Sequence, residues 1–143
     1  MKLAALQKTL KVAPVFGAAD GDLLVLGWGS TKGAIEEAVE RLRAEGKKVS
    51  SLHLRFLQPM PGGIKEILQR FKQVMTIEAG WCDSTDDEVI DESNRRYAAL
   101  AMMLRARYLV DVDCWSEVRG QGIRPDTIYR VIAGKLAEMR VRP

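Results

Sequence analysis

The sequence is short of the residues that most often carry chemistry. In 143 residues there are two cysteines, Cys82 and Cys114, and one histidine, His53. Two thiols cannot by themselves complete a zinc site or a four-cysteine iron–sulfur cluster. In a reducing cytoplasm they are expected as free thiols. Cys114, beside Trp115 after an apolar run, reads as a small buried hydrophobe. No serine–acid or cysteine pattern surrounds His53 to make it a catalytic base, and its place in an alternating apolar stretch points to a structural role. No nucleophile elbow and no metal-ligand spacing occur. The residues alone describe a chain without a self-sufficient active site.

Long hydrophobic runs are also missing. No apolar stretch approaches the ~18 residues of a membrane span. The opening MKLAALQKTLKV is interrupted by Lys8 and Lys11 and has no small-residue cleavage site, unlike a signal peptide. The expectation is a cytoplasmic protein with no membrane partner. Runs of Lys and Arg are absent too, as is any interleaving of bases with aromatics. The net charge is +3, but residues 81–93, WCDSTDDEVIDES, hold six acids and no base, leaving 22 bases against 13 acids elsewhere. Those bases are dispersed along helix faces, which reads as solvated surface and not as a nucleic-acid site. The acidic segment lacks the central glycine of a calcium loop and reads as a solvated connection.

What is present is a regular alternation. Four apolar runs read as strands: DLLVL (22–26), VSSLHL (49–54), QVMTI (73–77) and YLVDV (108–112). The first does not alternate, as suits a strand covered on both faces. Between and after them, helical stripes recur at i, i+3, i+4 and i+7. These are Ile35, Ala38, Val39 and Leu42; Ile64, Ile67, Leu68 and Phe71; Tyr97, Leu100, Ala101, Leu104 and Tyr108; and Ile128, Val131, Ile132 and Leu136. Gly46 is placed to stop the first of these helices, and Pro125 with Asp126 to start the last. Strand–helix repeated four times predicts an α/β fold with a mostly parallel sheet covered on both faces. A further amphipathic helix is expected over Leu3–Leu10, so the chain divides into an N-terminal helix or linker (1–20) and an α/β domain (21–143).

The stretch VLGWGSTKG (25–33) is the most suggestive local feature. Glycines between a strand and a helix can cradle a phosphate. A dinucleotide fingerprint needs G-x-G-x-x-G and an acid about 20 residues on. Here Gly27, Gly29 and Gly33 are spaced one residue too long, and the second strand leads to Arg55 with no acid. P-loop spacing is absent as well. The plainer reading is a tight strand-to-helix turn, with Ser30 or Thr31 capping the helix that follows.

The order of motifs is more specific than any one of them. GDLLVLGWGSTKGAIEEAVERLRAEGKKV is followed by LHLRFLQPMP, then IKEILQRFKQVMTIEAG, then LAMMLRARYLVDVDCWSEVRGQG. Over residues 22 to about 124 this resembles the C-terminal part of the alpha subunit of 2-oxoacid:ferredoxin (acceptor) oxidoreductases. More loosely, it resembles transketolase C-terminal domains and the beta subunits of thiamine-dependent 2-oxoacid dehydrogenases. The resemblance implies a three-layer sandwich of the transketolase C-terminal type, with one antiparallel edge strand. It implies an assembly that oxidatively decarboxylates a 2-oxoacid on thiamine diphosphate with Mg. Electrons pass through an iron–sulfur cluster to ferredoxin, and the acyl group passes to coenzyme A.

This chain has no G-D-G…N thiamine signature, so the resemblance makes it a non-catalytic domain or subunit that binds none of these cofactors alone. Its implied partner is a catalytic domain or beta subunit, with ferredoxin reached through the complex, and a homodimer is left open. Two departures stand out: the acidic segment with NRRYAAL replaces the family's N-x-G-Q-L-like helix start, and VRGQGIRP replaces V-x-G-Q-P-F. Candidate ligand or interface residues lie at strand ends: Gly29 and Ser30 after the first, Arg55 after the second, Glu78 at the third, and Arg119, Gly120 and Gln121 after the fourth. Arg55 could meet a carboxylate or phosphate, or pair with Glu78. Glu78 could orient a partner loop or cap a neighbouring helix. Trp28, Trp81 and Trp115 fall in or beside the same loops, as an interface or as local packing. Two alternatives stay open: a stand-alone NADP- or phosphate-binding α/β protein, and an assembly or regulatory module working through the acidic loop.

Overall fold

The computed structural model describes residues 14–54, 63–78, 88–89, 98–116 and 123–141. The predicted helix over Leu3–Leu10 lies outside these residues. The elements run β1 (Gly21–Trp28), a 3-10 turn (Gly29–Thr31), α1 (Lys32–Ala44), β2 (Val49–Leu54), α2 (Ile64–Leu68), β3 (Phe71–Glu78), α3 (Ala99–Tyr108), β4 (Val112–Ser116) and α4 (Pro125–Val141).

The four strands form one sheet in the order β2-β1-β3-β4, and every pairing is parallel. Leu26 stands opposite Leu52 on one side and Thr76 on the other. Val74 to Glu78 pair with Val112 to Ser116. The antiparallel element expected at an edge is, among the described residues, a single bridge. Phe16 exchanges backbone hydrogen bonds with Ser51 at 2.8 and 3.0 Å on the outer side of β2.

The unbroken apolar run of β1 has a direct cause. Side chains of a strand alternate between faces, and both faces of β1 are covered. Leu24 and Leu26 enter a core with Leu52, Leu54, Val74, Val112 and Cys114, sealed by α2 and α3 through Ile64, Leu68, Leu100, Ala101 and Leu104. Leu23 and Val25 enter a second core with Val49, Met75 and Ile77, sealed by α1 and α4 through Ile35, Ala38, Val39, Leu42, Ile128, Ile132 and Leu136. Leu23 through Leu26 are fully buried, and each such side chain contributes about 1.5–3 kcal/mol of transfer free energy.

Two expectations need correction at element ends. The fourth strand is Val112–Ser116, not residues 108–112. Tyr108 is the last residue of α3, and Leu109 closes that helix in the left-handed conformation with φ 55° and ψ 38°. Phe71 does not close a helical stripe. α2 ends at Leu68, and the buried Phe71 is the first residue of β3. The stop at Gly46 is as read. With φ +86°, Gly46 donates to the Arg43 carbonyl at 2.9 Å, and Lys47 donates to the Leu42 carbonyl at 3.0 Å. That pair of bonds is a Schellman motif, which satisfies two carbonyls the helix would leave open.

Candidate functional site

Because all four strands are parallel, their carboxyl ends lie along one edge of the sheet, marked by Trp28, Leu54, Glu78 and Ser116. In an open α/β sheet the crevice lies where successive connections depart in opposite directions. Here β2 flanks β1 on one side and β3 on the other, so that point falls between the ends of β1 and β3. The residues there are Trp28, Gly29 and Glu78.

The β1 end is built by close packing. A Cβ on Gly27 would sit 2.5 Å from Ile35 Cδ1 and 2.8 Å from Thr31 Oγ1. A side chain there would force Ile35 or Thr31 to shift, so glycine lets α1 approach the strand closely. The Thr31 hydroxyl donates back to the Trp28 carbonyl at 3.2 Å, and Thr31 makes no side-chain cap on α1. The capping role expected of Thr31 is corrected accordingly: its hydroxyl ties the turn to the strand. Gly29 has φ +72° with nothing within 4 Å of an added Cβ, so it faces open space, and Ser30 follows it in the 3-10 turn. Trp28 is 44% exposed at this rim. Trp115, by contrast, packs partly buried against the α1/α4 core. His53 is partly buried on β2, in register with Gly27.

The β3 end faces inward. Glu78 is 3% exposed. Its Oε1 accepts the Leu100 N–H at 2.7 Å. Its Oε2 accepts the Ala101 N–H at 3.2 Å and the Thr76 hydroxyl at 2.7 Å. The N-terminus of α3 has no side-chain cap of its own, since Ala98 precedes it. Glu78 supplies that cap from the neighbouring strand and places a negative charge at the positive end of the helix dipole. Three donors offset the cost of burying the carboxylate. Of the two roles weighed for Glu78, the structure displays the cap. Thr76 went unnoticed in the sequence, although its spacing two residues before Glu78 on one strand face was a usable signal.

Arg55, Arg119, Gly120 and Gln121 lie outside the described residues, as do Trp81, Cys82 and most of the acidic segment. Cys114 is buried as a free thiol. Among the described residues no group of three or more His, Cys, Asp or Glu could hold a metal ion, and no helix is long and apolar enough to cross a membrane.

Residues 21–127 match the family model described as pyruvate:ferredoxin oxidoreductase core domain II. The chain belongs to that family. The match begins at the first residue of β1 and runs into the first turn of α4. Curated proteins similar to this chain include 2-oxoglutarate oxidoreductase subunit KorA of Mycobacterium tuberculosis. It is 38% identical over 124 residues, covering 84% of this chain and 16% of KorA. The 2-oxoacid:ferredoxin oxidoreductase 1 subunit alpha of Aeropyrum pernix is 42% identical over 69 residues, covering 46% of this chain and 11% of that subunit. This chain therefore spans about a sixth or less of the length of these curated relatives.

Among solved structures, the 2-oxoglutarate:ferredoxin oxidoreductase of Magnetococcus marinus, with 2-oxoglutarate, coenzyme A and succinyl-CoA bound, superposes with a TM-score of 0.70. The identity is 22%, covering 93% of this chain and 21% of that one. The alpha chain of a probable 2-oxoacid ferredoxin oxidoreductase from Thermoplasma acidophilum has a TM-score of 0.53 at 23% identity, covering 88% of this chain and 97% of that one. A split-gene transketolase has a TM-score of 0.57 at 18% identity, covering 90% and 43%. These likenesses establish the fold that core domain II shares with transketolase.

Proposed function

We propose that this chain is the non-catalytic core domain II component of a thiamine diphosphate-dependent 2-oxoacid:ferredoxin oxidoreductase, either as one domain of a longer alpha subunit or as a short separate subunit. The observation that carries the reading is the family match over residues 21–127, joined by 38% identity to KorA across 84% of the chain. The complete assembly would oxidatively decarboxylate a 2-oxoacid, pass electrons through an iron–sulfur cluster to ferredoxin and pass the acyl group to coenzyme A. Thiamine diphosphate, Mg and the cluster belong to other domains or to the beta subunit.

Within that assembly the domain serves as an interface at the strand-end edge. Trp28 and the turn at Gly29 would face the partner; Ser30, Arg55, Arg119, Gly120 and Gln121 are the further interface candidates that the sequence nominates. Glu78 acts from behind them by fixing the start of α3. The exposed Trp28 supports this role, since tryptophan is favoured at interface hot spots. The localisation consistent with such an enzyme is the cytoplasm.

Affinity purification of the tagged chain from its source cell tests the proposal. The expected result is recovery of a chain carrying thiamine and cluster motifs, with 2-oxoacid- and coenzyme A-dependent ferredoxin reduction in the eluate. Recovery of a stable monomer with no such partner and no such activity overturns it. Titration calorimetry with NADP addresses the stand-alone nucleotide-binding alternative, for which the packing of Gly27 against Ile35 and Thr31 leaves less reason.

A further inference from the structure

Strand β4 ends the sheet on one side: among the described residues it pairs with β3 alone, along Val112–Ser116. At the opposite end the outer edge of β2 is met by the backbone of Phe16. β4 is finished differently. Backbone groups of residues two apart point to the same edge of a strand. The Val112 carbonyl and the Cys114 N–H are such a pair, and charged side chains take both. Arg105 Nη1 donates to the Val112 carbonyl at 3.0 Å. The Cys114 N–H donates to Asp113 Oδ1 at 2.8 Å. Each of these side chains is anchored in turn. Arg105 Nη1 also binds Asp111 Oδ1 at 2.6 Å, and Lys135 Nζ binds Asp113 Oδ2 at 2.8 Å.

The two anchors come from opposite layers. Arg105 belongs to α3, which seals one face of the sheet, and Lys135 to α4, which seals the other. The inner edge of β4 is filled by the β3 backbone, so a pair of groups reached from both layers lies on the outer edge. A carbonyl and the N–H two residues on are the groups through which a strand holds one residue of a parallel neighbour.

We propose that Arg105 and Asp113, held by Asp111 and Lys135, form a charged clasp that closes the sheet at β4 against the addition of a further strand. An edge strand offers its backbone groups to any chain able to pair with it, and charged side chains at the edge oppose such pairing. Here the opposition is specific, because an incoming strand must displace Arg105 and Asp113 from the very groups it needs. The sequence VDCWS contains no proline or glycine that would deter pairing by itself. The Lys135 side chain is only 10% exposed, so displacing Asp113 leaves an ammonium largely out of water without its counterion, which is costly. With two bases and two acids the clasp is neutral and draws no charged partner to the edge. The inference does not rest on the function proposed above and can fail without touching it.

Amide exchange and sedimentation of the full chain, under reducing conditions, test the clasp. Asp113→Ala/Lys135→Met removes the ion pair as a unit, so that no buried charge is left unmatched. In dilute protein the Cys114 amide should exchange roughly five- to tenfold faster in this variant, the weight of one hydrogen bond. As concentration rises the variant should associate at a threshold at least about tenfold below that of the wild type. In the associated state the Cys114 amide should become protected again, because an added strand now accepts it. Arg105→Met opens the Val112 carbonyl while leaving Lys135 and Asp113 in place, and should lower the threshold in the same direction; it carries the test if the double variant does not fold. Unchanged exchange at Cys114 in a folded double variant overturns the proposal. So do folded variants that stay as dispersed as the wild type, association that leaves the Cys114 amide fast, and association accompanied by quickened exchange at Leu24 and Leu26, which marks unfolding.

Discussion

Glu78 at the end of β3 accepts the backbone N–H of Leu100 at 2.7 Å, across 22 residues of chain. A single buried carboxylate therefore fixes where α3 begins, and through α3 the core that Leu100, Ala101 and Leu104 complete. Replacing it with alanine leaves the Leu100 and Ala101 N–H groups and the Thr76 hydroxyl without their acceptor. The expected loss is about 2–3 kcal/mol, from a lost cap and newly unmatched donors. Glu78→Gln, which keeps the shape but loses the charge, should fall between. Urea unfolding measures the loss, and hydrogen exchange at Leu100 and Ala101 should quicken in step. Unchanged exchange at those two amides would count against the cap.

The glycines of the opening turn separate cleanly by role. Gly27→Ala forces a Cβ against Ile35 and Thr31, and overpacking of this kind costs about 1–3 kcal/mol. Gly33→Ala meets nothing within 4 Å and lies inside α1, where alanine is favoured over glycine by up to about 1 kcal/mol. Thermal unfolding of the two variants should move in opposite directions. Equal destabilisation by both would point to a glycine requirement other than packing.

These details show what the sequence could and could not yield. The helical stripes at Ile35–Leu42 and Ile128–Leu136, and the strand at Val49–Leu54, were legible because their side chains meet a continuous core, and burial imposes a period. The start of β4 was not. Tyr108, Leu109 and Val110 are as apolar as a strand, and a helix that stops on a left-handed leucine offers no glycine to announce it. The partner of Glu78 was equally hidden, since the cap joins a strand end to a helix separated from it by a long connection. The strand-end position of Glu78 was legible, while its inward direction depends on Thr76 and on where α3 lands.

Leu109 itself offers a simple test. Holding a non-glycine residue in the left-handed region costs about 1–2 kcal/mol, part of which glycine returns through the greater freedom of its unfolded chain. In dilute solution Leu109→Gly should be more stable than the wild type by about 0.5–1 kcal/mol. Chemical denaturation at low micromolar protein decides, and a clear loss of stability would show that Leu109 makes contacts that hold the monomer together.

Alkaline pH should loosen the contact between α1 and α4. The Tyr129 hydroxyl donates to Glu45 at 2.7 Å, and Arg41 lies 4.3 Å from the ring centroid while also pairing with Asp126 at 2.7 Å. The bond to Glu45 raises the Tyr129 pKa above its ordinary value of 10.0, with a lesser contribution from desolvation. Burial raises that of Tyr108 in the same direction. A raised pKa in the folded state means the folded protein holds the proton more tightly than the unfolded chain. The stabilisation is complete below pH about 10 and is lost as pH rises through the folded-state value. Melting temperature followed from pH 8 to 11 should fall more steeply for the wild type than for Tyr129→Phe. Parallel curves would remove Tyr129 from the account.

The strand order also sets a sequence of events during synthesis. β1 pairs on one side with β2, which follows after one helix, and on the other with β3, which follows β2. As the chain emerges, β1, α1 and β2 can assemble first, because they form the shortest parallel crossover available. Until Phe71–Glu78 arrives, that unit presents an open edge of β1 with Leu24 and Leu26 uncovered on the face later sealed by α2 and α3. Unpaired edges of this kind are the species most prone to wrong association. The open edge of β1 is thus secured only when β3 arrives, and a pause in translation between residues 54 and 71 would prolong its exposure.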